Sequence, residues 1–353
     1  LARADDADHP QVWIELGGQL SRLQDSLETF SPAFETMRPP IFKPSENFQT
    51  PPLYSVDEFA SLSFQPEHSS WVFSASIHYG RATKTRHVHQ QTYPGNTRFD
   101  FYTTIPPSIF AVYITKKPQA ARFADTVVRN SERHAILDFQ AGKDVGLGLF
   151  GKDSTSTVSL GVRFAQFRDK SNIALKSDPD WRFHHKYFTF YGYGLQTVVQ
   201  PYHSNAAELR ADRSFHGVGP SLSWSASTPF AGNLQDGELT FDWTANVAAL
   251  FGRQKTRVQH HTTVRYNHGS RGYGTLVTQT HIAPPASTRS RNVTVPNVGG
   301  SVGLSWRVQN FKMSLGYRYD TFLNAMDTGI DARKTSNLTF NGPYASISIG
   351  LGD

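Results

Sequence analysis

Cysteine is missing from all 353 residues, so no disulfide framework holds this chain together. No stretch approaches the ~18–20 consecutive apolar residues of a spanning helix. Hydrophobic residues make up only 38% of the chain, and a helical inner-membrane protein is excluded. Helical 3.6-residue periodicity is nearly absent as well, with one short candidate around 119–128. Charge of one sign is not concentrated either. Lys and Arg total 35 against 29 acids, for a net charge of +6. The basic residues are scattered without a basic run, so nucleic acid is not an expected partner. No signal peptide is visible, and the start Leu1-Ala2-Arg3-Ala4-Asp5 reads as processed or trimmed.

What is present is an alternation of apolar with small or polar residues, in paired segments of about ten. Val158-Ser159-Leu160-Gly161-Val162-Arg163-Phe164-Ala165 is the clearest case, and 239–247 repeats it. Period two means extended strand, with successive side chains on opposite faces. A soluble sandwich turns the apolar face to a core, whereas a membrane barrel turns it to lipid. Aromatics at 13%, with 25 Phe and 14 Tyr, suit the interfacial girdles of such barrels.

Ten strands are legible, at about 12–23, 58–65, 71–85, 135–149, 155–169, 209–227, 238–259, 292–308, 312–322 and 338–351. Short turns such as Gln309-Asn310 alternate with long polar stretches at about 27–55, 92–132, 170–205 and 260–289. A sandwich has no reason to confine its long loops to one end, and compact domains rarely hold several of them. The pattern predicts one domain over 1–353. It is all-β, an antiparallel up-and-down transmembrane barrel of about ten strands, within a range of 8–12, in the bacterial outer membrane. A hairpin within 188–199 would make twelve.

Parity then assigns faces. Phe73, Ile77, Phe139, Leu160, Val162, Leu304, Leu315 and Ile347 belong to an outward set that no charge interrupts. The inward face holds Glu15, Gln19, His78, Asp138, Gln140, Arg163, Asp242, Asn246, Arg307, Arg318 and Asp320, spaced by Gly and Ser. Two readings of these charges stay open. They line an aqueous path and set ion preference, or they neutralise one another as a packed polar core. Inward glycines such as Gly17, Gly161, Gly217, Gly303 and Gly316 leave room and favour water.

Several segments resemble the Legionella-type major outer-membrane-protein family of pore-forming barrels. They are Leu137-Asp138-Phe139-Gln140-Ala141-Gly142-Lys143-Asp144-Val145-Gly146-Leu147-Gly148, then 159–167, Phe215-His216-Gly217-Val218-Gly219-Pro220 and Asn341-Gly342-Pro343-Tyr344. The resemblance implies an outer-membrane barrel with channel activity, inserted by the barrel-assembly machinery, with no catalytic set to carry over. The chain departs from such barrels at Leu351-Gly352-Asp353, where they often end in an aromatic residue.

The expected function is passive diffusion of ions or small polar solutes. Alternatives are a plugged structural or adhesive barrel that acts through its loops or an oligomeric array, and an envelope lipid-modifying enzyme. His78 near Ser74 and Ser76 is the nearest approach to a catalytic pair, a cheap coincidence on a serine-rich face. No cofactor and no catalysis are expected. His87 with His89, and the pairs His184-His185 and His260-His261, have spacings that suit a metal, though imidazole is also a common loop filler. The aromatic 99–113 segment reads as a constriction folded into the mouth, or as a contact with a second copy. Expected partners are outer-membrane lipid and lipopolysaccharide, the assembly machinery, and a homo-oligomer or other envelope proteins.

Overall fold

The computed structural model describes residues 11–24, 30, 53–92, 122–145, 154–179, 184–187, 196–199, 202–268 and 276–351. The strands are β1 (Gln11–Gln24), β2 (Leu53–Gln65), β3 (Trp71–Thr92), β4 (Arg122–Asp144), β5 (Thr155–Pro179), β6 (His184–Tyr187), β7 (Gln196–Val199), β8 (Tyr202–Asn233), β9 (Gly237–His268), β10 (Leu276–Ile282), β11 (Ser287–Val308), β12 (Phe311–Asp327) and β13 (Thr335–Leu351). All pairings are antiparallel. The ring runs β1-β2-β3-β4-β5-β8-β9-β11-β12-β13 and closes as β13 returns to β1, with Trp13 opposite Gly350 and Leu16 opposite Ile347. Ten strands therefore form a closed antiparallel barrel. Closure pairs the backbone groups that lipid cannot satisfy.

β10 is an outward continuation of the β11 edge. It pairs with 262–268 of β9 after a break at Pro284-Pro285, where the ladder loses its donors. β6 and β7 pair only with each other, so the hairpin near 188–199 forms but adds no wall strand.

Gln309-Asn310 joins β11 to β12, and 234–236 joins β8 to β9. In the second turn the Asn233 side-chain oxygen accepts from the backbone of Gln235 and Asp236, at 2.9 and 2.7 Å. The ends of β1 and β13 share this edge of the barrel. Above the opposite edge the strands run much further than the sequence suggests. β8 and β9 have 32 residues each, roughly 100 Å of strand against a ~30 Å hydrocarbon core. The stretch expected as a loop at 260–289 is largely strand, and so are 122–132 and 170–179. Residues 135–149 were expected as one strand, but β4 ends at Asp144. The reason is that these extensions alternate polar with small residues, so apolar periodicity fades while backbone pairing continues.

The outward set behaves as parity predicts. Leu160 and Leu315 are about two-thirds exposed, at 67% and 66%. Trp224 and Trp243, which parity also places outward, depart from it: they are half-buried in an edge-to-face contact at 4.9 Å, and Trp243 borders the inner cavity. The apolar rows end sharply: on β5, Phe164 is followed on the same face by Gln166, Arg168 and Lys170.

Candidate functional site in the barrel interior

The inner face is built in levels. Nearest the short turns, the Arg307 guanidinium stacks 5.1 Å over the Trp13 ring. Asp242 accepts from Lys312 Nζ at 2.6 Å and from Ser227 at 2.6 Å, and Ser305 also donates to it. Ser346 donates to Glu15 at 2.7 Å. Next comes an ionic belt. Arg163 grips Asp138 with two hydrogen bonds, at 2.7 and 3.0 Å, and its third nitrogen reaches Asn246 at 2.9 Å and Asn297. This forked geometry is what a planar guanidinium offers a carboxylate. Arg318 donates to Asp320 at 2.6 Å, and its Nη1 lies 2.7 Å from His78 Nε2. The His78 ring stacks on Phe59 at 5.1 Å. Gly299 is required here, because a Cβ would collide with the Asp320 carboxylate.

A cavity of about 330 Å³ lies between these levels. Glu15, Gln19, His78, Asp138, Gln140, Arg163, Asp242, Asn246 and Arg318 all line it, with many serines. Of the other two expected inward residues, Asp320 is buried against Arg318 beyond the cavity, and Arg307 stands at the turn-side mouth. Parity thus brought all eleven to one interior. It missed Lys312, although its register with Ser314, Gly316 and Arg318 marks it as inward. It also missed Asn297.

Beyond the belt the interior turns apolar. Phe167, Phe215, Phe322 and Phe340 pack with Leu250, Met326 and Val295. Phe167 stands 4.6 Å from Phe322 and 5.8 Å from both Phe215 and Phe340, centroid to centroid, and it has no exposed surface. A second cluster further out joins Phe30, Val128, Ile173, Leu175, Leu209, Val258 and Ile330. Between the two, Arg213 pairs with Asp169 at 3.0 Å.

One short segment enters both clusters. β12 keeps register with β13 to Phe322 and resumes only at Met326. Asn324 between them adopts a left-handed backbone, φ 56°, and a bulge of this kind re-aims a strand. The chain beyond it turns into the lumen, with 325–330 all buried. Side chains of the wall hold it there. Arg289 donates to Asp327 at 2.9 Å and to the carbonyls of Gly329 and Ile330 at 2.6 and 3.0 Å. Gln254 and Thr256 donate to the carbonyls of Asn324 and Asp327. From sequence, 324–336 was an ordinary shorter connection. The available signal was its apolar content, Ala325, Met326 and Ile330, out of place in a wet loop.

The inward glycines do not hold open space. A Cβ at Gly303 or Gly316 would meet the Tyr344 ring system at 2.7 Å, and one at Gly217 would meet Phe215 at 2.6 Å. Phe59 likewise covers Gly17. The room at these four is taken by neighbouring rings, and at Gly161 by the Phe139 carbonyl and Gln140, a correction to the expectation that it favours water.

The catalytic pairing considered for His78 does not form. Among the described residues its partners are Arg318 and Phe59, with no serine hydroxyl bonded to it. The 99–113 segment lies outside the described residues, as do the side chains of His184 and His185. His260 is half-buried in β9 rather than in a loop, 2.8 Å from Asp331. No cluster of three or more metal-ligating side chains occurs among the described residues.

A closed antiparallel barrel with an unbroken apolar outer band and a charged interior defines the class: a β-barrel protein of the bacterial outer membrane. The family described as the Legionella pneumophila major outer membrane protein precursor matches residues 72–350, and the chain belongs to that family. No curated protein matches. Among solved structures, the transport unit of the autotransporter AIDA-I from Escherichia coli is 9% identical over 99% of this chain and 93% of that one, with a TM-score of 0.23. The Ralstonia pickettii toluene transporter TbuX is 9% identical over 98% and 90%, with a TM-score of 0.21. A TodX monoaromatic hydrocarbon channel mutant is 7% identical over 98% and 91%, with a TM-score of 0.23. Likeness at this level adds nothing on activity.

Proposed function

We propose that the protein is a gated outer-membrane pore for ions and small polar solutes, held closed in the arrangement described here, and that it is not an enzyme. The observation that carries this reading is that one inward-bent segment, Ala325 to Ile330, supplies members of both apolar seals. Below the seals lies a charged, serine-rich chamber. A barrel plugged only for stability has no need to hang its closure on one loop clamped by side chains. Withdrawal of that segment takes Ala325, Met326 and Ile330 out of the lumen together and leaves Phe322 on the wall. Hinged motion of this kind is a standard way to gate a path.

A plugged structural barrel is the second reading. It is favoured by the pairing of Arg163 with Asp138, Arg318 with Asp320 and Lys312 with Asp242. Planar-bilayer recordings separate the two. Wild-type protein is expected to be mostly closed with brief openings, and Arg289→Ala to raise the open fraction at least tenfold. Arg163→Ala with Arg318→Ala is expected to shift ion selectivity toward cations. Folded protein that conducts in none of these forms would overturn the pore and leave the structural barrel.

A further inference from the structure

The outer wall is not uniform around its circumference. Register across β4, β5, β8 and β9 aligns the outward residues into rows above the apolar band. Arg133 sits opposite Arg168, and Ser214, next in that row, opposite Lys255. One row further out, Lys170 faces Asp212 and Asp212 faces Arg257. Arg253 occupies the row nearest the band, level with Gln166 and His216. Six exposed cations thus share one face, and Asp212 is the acid among them, already engaged by Arg168 at 2.7 Å. No carboxylate among the described residues lies within ion-pair distance of Arg133, Lys170, Lys255 or Arg257. On the strands next to this face, β11 and β12, the outward positions above the band are uncharged: Ser290, Asn292, Thr294 and Thr321.

Directly beneath the cations the wall is apolar, with Leu137, Phe164, Val218 and Phe251 in one row. This row borders an external groove of about 1130 Å³, which Gln166, His216 and Arg253 of the next row also line, with Arg291 and Thr294 of β11 and Arg333 beside them. An apolar floor at lipid depth with Arg253 in the next row and unpaired cations two and three rows above it fits a molecule with acyl chains and a multiply anionic head. The short-turn edge faces the periplasm in an up-and-down barrel, so the long extensions face outward. The cations therefore stand at the headgroup level of the outer leaflet.

We propose that the β4-β5-β8-β9 face is a docking site for lipopolysaccharide, with the phosphorylated sugar head on Arg133, Lys170, Lys255 and Arg257 and acyl chain along the Leu137–Phe251 row. Cations near an anionic lipid surface act almost additively, and loss of three is expected to weaken binding roughly 100-fold.

The test is a titration of the refolded, full-length barrel in detergent with purified lipopolysaccharide, read by native mass spectrometry and by the temperature of the folded-to-unfolded gel-mobility shift. The variant Lys170→Gln, Lys255→Gln, Arg257→Gln is compared with a charge-matched control, Arg22→Gln, Arg86→Gln, Lys143→Gln, in which Arg22 and Arg86 are exposed on β1 and β3 and Lys143 is exposed at the short-turn end of β4. Expected results are tight retention by wild type, a loss of 30-fold or more in the first variant, and less than threefold in the control. Dephosphorylated lipopolysaccharide and phosphatidylglycerol are each expected to bind at least tenfold more weakly than the intact glycolipid. Equal binding by the two triple variants would overturn the site. So would equal binding of intact and dephosphorylated glycolipid. If the first triple variant does not fold, Lys170→Gln alone is read against Lys143→Gln, with an expected loss of about fourfold against none.

Discussion

The two halves of the lumen differ in balance, although the outer half also holds the ion pairs Arg213–Asp169 and Arg289–Asp327. The half near the short turns holds charges in pairs around a 330 Å³ chamber, and the outer half holds stacked rings and aliphatic side chains. Both halves lie inside the same ten strands, so the difference belongs to the side chains and not to the architecture. Charges in a desolvated interior need their partners, since an ion without one is far more costly than none. Rings have no such need, and their packing adjusts when one element withdraws. The polar half is thus suited to stay fixed, and the apolar half to contain the part that moves.

The sharpest way to break this comparison is to orphan a charge. Arg163→Ala leaves Asp138 buried with neither fork of its partner, and a loss of about 3–5 kcal/mol is expected in urea unfolding of the bilayer-inserted barrel. Replacing both, as Arg163→Met with Asp138→Leu, is expected to recover most of that loss, because the packed apolar pair leaves no charge to satisfy. If the double variant is as damaged as the single one, fixed charge pairing is not what holds this half together.

On the apolar side the comparable change is gentler. Met326→Ala removes a fully buried side chain from the inner cluster, at an expected cost of about 2–3 kcal/mol. Because Met326 travels with the inward-bent segment, much of that loss is expected to appear as local opening. Amide exchange is then faster at 325–330 than in β5 or β9. A uniform rise across the barrel would mean that the segment is part of the rigid wall.

These differences show why the two halves were unequally legible. Period two names a face, and it placed the eleven inward residues, Glu15 to Asp320, and the outward band apart from Trp224 and Trp243. It does not say what neighbours do with the space. Gly303 and Gly316 leave room whether water or the Tyr344 ring fills it, and only the fold decides. Nor does alternation reach residues that leave the ladder. Ala325, Met326 and Ile330 follow a break in register at Asn324, so the rule that located Phe322 on the inner face could not follow the chain into the lumen. The outer extensions were hidden for a related reason: wet on one face, and small or polar on much of the other, they carry little apolar signal although their hydrogen bonds continue.

The smallest effect expected lies far out on these extensions, where neither lipid nor a core supports the strands. On the wet outer face of β3 and β4, His89 stands 2.6 Å and His87 3.4 Å from Asp125. The hydrogen bond from His89, aided by the charges of both imidazoles, holds the Asp125 carboxyl below its usual range. A carboxyl with a depressed folded value favours the folded pairing at pH above the unfolded value, about 3.9. That contribution fades as the pH falls through the still lower folded value. Solvent screens so exposed a cluster, so the expected change is local and slight. Amide exchange at 86–89 and 125–128, corrected for intrinsic rate, is expected to lose protection between pH 5 and pH 2.5. Strand β5 at 160–166 should hold its protection over the same interval. Asp125→Asn removes the titrating group and should flatten the step; a step that survives in this variant would assign the acid sensitivity to a different group and leave the histidines without a part in it.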